Sequence, residues 1–67
     1  MTKQEALQII RVVQFEIDDF DYFMRETVRN NGSQDTLDEL ARDRNHSVAT
    51  LRRLKECQPI ADALRTR

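Results

Sequence analysis

The sequence predicts an all-α protein: two long antiparallel helices forming a hairpin, a short helical turn after Pro59, and two copies completing a four-helix bundle. Three observations carry this expectation. The only glycine, Gly32, lies in Asn30-Asn31-Gly32-Ser33 and the only proline is Pro59, so the 67 residues divide into two long uninterrupted segments and a tail. Both segments repeat apolar residues at alternating three- and four-residue steps, the spacing of a helical coiled-coil seam. A single layer of helix contacts in so short a chain supplies only about 3–5 kcal/mol, so a second copy, as a homodimer, is the expected remedy.

Helix one is predicted over residues 3–29. Thr2-Lys3-Gln4-Glu5 reads as a capping box, in which the threonine hydroxyl and the glutamate carboxylate each accept from the other residue's backbone amide. Ala6, Ile10, Val13, Ile17, Phe20, Met24 and Thr27 or Val28 then form the inward seam, which Ile9 broadens. Arg25 and Arg29 suit the negative end of the helix dipole. The turn at 30–33 follows because Asn30, Asn31 and Gly32 tolerate the positive φ that closes a helix.

Helix two is predicted over residues 34–57, with Ser33 as its N-cap, Asp35, Asp38 and Glu39 near its positive end and Arg52, Arg53 and Lys55 near its negative end. Leu37, Leu40, Ala41, Val48, Leu51 and Leu54 form its seam, with Arg44 in the middle. Pro59 cannot donate a backbone hydrogen bond, so the arm stops around residues 56–58; the same proline can open a short final turn through Leu64, within a tail of 58–67. Antiparallel arms reversing at Asn31-Gly32 place opposite one another residues whose numbers add to about 64, along roughly 40 Å of helix. The seams then match: Met24 with Leu40, Ile17 with Val48, Val13 with Leu51 and Ile10 with Leu54. Arg44 falls level with Phe20 and close to Asp21, where its stem can cover the ring and its guanidinium can reach the carboxylate.

Composition narrows the function. The chain is 39% hydrophobic and 34% charged, too apolar for simple disorder and charged enough for exposed helix surface. No apolar run approaches the roughly 18 residues of a membrane span, and the charged and apolar regions of a signal peptide are missing, so the expected location is the cytoplasm, with no membrane partner. A net charge of −1 is far from the basic excess of a small nucleic-acid binder. His46 and Cys57 stand roughly 16 Å apart on a continuous helix; without a second histidine, a Cys-x-x-Cys pair or a glycine-rich loop, no enzyme, metal or cofactor is expected.

Glu16, Asp18, Asp19 and Asp21 concentrate four carboxylates in six residues, but on a helix they spread around the cylinder and read as a solvated acidic face. Phe15 and Tyr22 lie seven residues apart, away from the main seam, with Asp18 and Asp19 between them and Leu7 near the same side. Aromatics framed by acids suit a protein partner with basic character, because ring burial supplies affinity and the acids select charge. The alternative is that this face is buried between copies. The candidate partner-binding residues are Phe15, Asp18, Asp19 and Tyr22, with Arg52 and Arg53 as a basic counterpart near the other end.

Residues 36–54 resemble bacterial helix-turn-helix DNA-binding segments, with Leu40-Ala41 ending a first helix and Ser47-Val48-Ala49-Thr50-Leu51 beginning a recognition helix. That resemblance implies a turn at Arg44 to His46, nucleic-acid contacts from Ser47, Thr50, Arg52 and Arg53, and a role as a transcriptional regulator. Asn45 stands where such segments carry the turn glycine. In size and composition the whole chain is similar to the small helical host-takeover proteins of bacteriophages, including anti-quorum-sensing and anti-CRISPR types. This second resemblance implies an inhibitor that covers a working surface of a host regulator or enzyme in the host cytoplasm.

Overall fold

The computed structural model describes residues 1–66; Arg67, the end of the expected tail, lies outside them. It contains three helices, α1 (Lys3–Arg29), α2 (Gln34–Glu56) and α3 (Gln58–Arg65), and no strand among the described residues.

Local signals set the helix ends. At the start of α1 the Thr2 hydroxyl accepts from the Glu5 amide at 3.1 Å and the Glu5 carboxylate accepts from the Thr2 amide at 3.2 Å, a complete capping box. At its end the Gly32 amide donates to the Thr27 carbonyl at 2.7 Å and the Asn31 amide to the Val28 carbonyl at 3.2 Å, the paired bonds of a Schellman motif. The left-handed position of this motif is Asn31, with φ 56°, and not Gly32. Glycine is required at 32 for a different reason: a Cβ there would collide with the Thr27 methyl and sit 3.0 Å from the Thr27 carbonyl oxygen. Ser33 caps α2, its hydroxyl accepting from the Thr36 amide at 3.2 Å.

The two long helices run antiparallel in the expected register. Arg44 Nε donates to Asp21 Oδ1 at 2.6 Å, and Ser47 Oγ donates to Glu16 Oε2 at 3.3 Å. Ile17 and Leu51 are buried between the arms, and Ser47 is the one buried polar residue among those described. Arg44 and Asp21 keep 35% and 43% of their side-chain surface exposed, so their ion pair fixes register more than it adds stability, about 0–1 kcal/mol. Val28, a candidate for the seam, is instead exposed at the turn, while Leu7 is half-buried.

α2 continues without interruption through Arg44, Asn45 and His46, as predicted for the arm over residues 34–57, with Val48 half-buried in its seam; the turn implied by the helix-turn-helix resemblance does not form. The physical reason is that Asn45 is tolerated inside a helix, and an unbroken helix lets Arg44, Ser47, Val48 and Leu51 all meet α1. α2 stops at Glu56, within the expected 56–58, with Cys57 extended at φ −62° and ψ 126° and serving both as the end of α2 and the cap of α3. Pro59 then lies in the first turn of an eight-residue helix that begins at Gln58 and passes Leu64.

That third helix folds back across the open end of the hairpin. Ile60 and Ala63 enclose Ala6, which is wholly buried, and Ile10, Leu54 and Leu64 pack around them. The opposite end, at the turn, has no such closure. There Met24, Leu37, Leu40 and Ala41 remain half-exposed along two open grooves of about 590 and 460 Å3.

Candidate protein-binding surface

α1 is apolar on more sides than one neighbour can cover. Its inward row, Ala6, Ile10, Val13, Ile17 and Met24, faces α2 and α3. At about 100° per residue, Val12, Phe15, Asp19 and Tyr22 project on the opposite side, as an outward edge running between Gln8 and Glu26. Val12 is 64% exposed, Phe15 65% and Tyr22 53%, so the three side chains give this edge a continuous apolar character. Phe23 is also 53% exposed and meets Tyr22 edge-on, with ring centres 5.7 Å apart and planes at 71°.

α2 and α3 differ sharply. Every exposed large hydrophobic side chain among the described residues belongs to Met1 or to α1. The outer side of α2 carries residues such as Arg42, Asn45, Ala49 and Arg53, all exposed and none large and apolar. A face able to bury rings against a partner therefore exists on one helix only.

The acids around the edge are not equivalent. Asp18 accepts from the Gln14 amide group at 3.3 Å, Asp21 is held by Arg44, and Glu16 by Ser47. Asp19 has no hydrogen-bond or ion-pair partner among the described residues and flanks Phe15 and Tyr22 on the side of Val12. Glu26 follows along the same edge, and Arg11 and Arg29 border its two ends. Asp18 flanks Phe15 and Tyr22 on the side that Arg25 shares, three residues from the first ring and four from the second, as Asp19 does on the other side.

Arg52 and Arg53 are exposed on α2, roughly level with the first half of α1, and do not join this edge. Arg52 and Lys55 border a shallow depression of about 210 Å3 over Val48 and Leu51, whereas Arg53 faces away from α1. Val12 and Phe23 belong to the exposed apolar surface but were not among the expected contacts. The three-residue step from Val12 to Phe15 carries a signal for the first; Phe23 has none, because its place beside the seam residue Phe20 suits burial equally well.

Among the described residues no group of three or more His, Cys, Asp or Glu side chains could hold a metal ion, and Cys57 is a free, exposed thiol. No helix is long and apolar enough to cross a membrane. No protein-family model, curated protein or solved structure matches the chain.

Proposed function

We propose that this protein is a small protein-interaction module: a helical hairpin, paired with a second copy in a four-helix bundle, that uses the outward edge of α1 to bind a larger protein and thereby inhibit or regulate it. The observation that carries this reading is the row of Val12, Phe15 and Tyr22, all more than half exposed, around the unpartnered Asp19. Rings supply most of the binding energy of typical interfaces, and a fixed acid beside them favours a basic partner surface. Arg52, beside Lys55, and Arg53, on the outer side of α2, are separate basic contacts for acidic groups of a partner. The protein works by covering a surface and not by catalysis, as the resemblance to phage-encoded inhibitors of host regulators or enzymes implies, and it acts in the host cytoplasm. The continuity of α2 through Asn45 counts against the DNA-binding alternative, because it removes the turn that would angle a recognition helix into the major groove.

Affinity capture from a host lysate tests the reading. The wild-type chain should retain a specific protein, and the double substitution Phe15→Ala with Tyr22→Ala should release it while helix content stays at the wild-type level. Unchanged capture, or loss of helicity in the double variant, would assign the rings to another role.

A further inference from the structure

The hairpin is a slab whose two broad faces differ in chemistry. One face is marked by the Asp21–Arg44 ion pair and by grooves bordered by Arg25, Arg29, Arg52 and Lys55, so covering it would strip water from several cations. The other is marked by the Glu16–Ser47 hydrogen bond and the groove containing Phe23 and Leu40. Here α1 presents Ile9, Val13, Phe20 and Phe23, and α2 presents Leu40 and the smaller Thr50, with Ser47 buried beneath and Leu54 at the end that α3 covers. Both rows keep alternating four- and three-residue steps. The charged side chains on these rows are Glu16, already hydrogen-bonded, and Asp43, and Glu26 borders the groove at the turn. None of Ile9, Val13, Phe20 and Phe23 belongs to the cluster covered by α3.

We infer that this second broad face is where another copy of the chain packs. The inference rests on the bundle reading above, but not on the role given to the α1 edge. Area supports the occupant. The chain exposes 5347 Å2, whereas a compact monomer of 7.9 kDa exposes about 4,400 Å2. The excess, roughly 900 Å2, matches the share of about 800 Å2 that each partner contributes to a standard interface. The slab spans 47 × 16 Å between Cα atoms, roughly 750 Å2 of footprint, and is only 12 Å thick, so it is a single layer awaiting a second. The pattern of side chains supports self-pairing: with each α1 laid over the other copy's α2, the rings of α1 meet the half-exposed Leu40 and Thr50, and Glu16, bonded to the buried Ser47 of its own chain, does not face a second Glu16. The Phe15–Asp19–Tyr22 edge stays open on both copies.

Tyr22 and Phe23 provide a matched test, since they are neighbours with equal exposure of 53% but lie on the edge and on the broad face respectively. Sedimentation equilibrium of the wild-type chain should give the mass of two chains; a single-chain mass at tens of micromolar would sink the bundle reading itself. Phe23→Lys should reduce the mass to one chain, whereas Tyr22→Lys should leave the dimer. Dissociation by Tyr22→Lys with a dimer retained in Phe23→Lys would overturn the face assignment alone. Should lysine at 23 unfold the chain, Phe23→Ala and Tyr22→Ala carry the comparison. The first should raise the dimer dissociation constant about tenfold or more and the second less than about threefold, a hot-spot contrast that equal effects would refute.

Discussion

Glu5 closes the start of α1 from both directions: its amide donates to the Thr2 hydroxyl and its carboxylate accepts from the Thr2 amide. The Thr2 backbone amide first, and the Thr2 hydroxyl second, hold its carboxyl below its ordinary range. Because the folded-state value is the lower one, the stabilisation is complete above the ordinary glutamate value, about 4.3, and disappears as pH falls through the depressed value. Acid titration followed by circular dichroism should show wild-type helicity falling in that window, with a shallower fall in Glu5→Gln, which keeps the reach-back acceptor without a titrating proton. Coincident titration curves would remove Glu5 from the pH response. At the other end of the helix, the turn depended on two residues whose functions the sequence alone does not distinguish. Asn31 takes the left-handed backbone and Gly32 the close approach to Thr27, since an asparagine tolerates positive φ whereas any Cβ at position 32 meets a fixed neighbour.

At the scale of elements, α3 matters more than its eight residues suggest. Two helices crossing at the open end would leave Ala6 and Ile10 in water, and α3 covers both through Ile60 and Ala63. Ile60 retains only 4% exposure. Ile60→Ala should therefore cost about 2–5 kcal/mol in urea unfolding, the usual range for emptying an aliphatic core position. A loss below about 1 kcal/mol would mean that α3 does not unfold with the hairpin. The sequence marked where this helix could begin, because Pro59 cannot continue α2 but suits a first turn. It did not specify the direction of return, which follows from the extended Cys57 and from contacts with a helix some fifty residues earlier in the chain, an interval no local pattern spans.

For the whole molecule, the governing fact is a lack of interior. Among the described residues no large side chain is completely withdrawn from solvent, and the most buried residue, Ala6, is small. A chain built this way should gain much of its stability from association, and its unfolding temperature should then depend on concentration. With about 0.7 kcal/mol of unfolding enthalpy per residue over two chains, the midpoint should rise by roughly 5 °C for each tenfold increase in concentration, measured by calorimetry. A midpoint independent of concentration would identify a self-sufficient monomer. This argument also limits how the binding surface could be read in advance. Phe15 and Tyr22 stood out because they fell outside the inward row, but Val12 and Phe23 extend the exposed surface.

By itself the sequence determined the helical class, the caps and the antiparallel register, because capping boxes, left-handed turn residues, proline and the three-four step all act within a few residues of where they are written. Tertiary structure alone decided which rows around α1 are covered and that α3 returns to Ala6. Several rows of α1 are apolar enough to be an interior, and periodicity cannot rank them; only contact with a second and a third helix selects the one that leaves water.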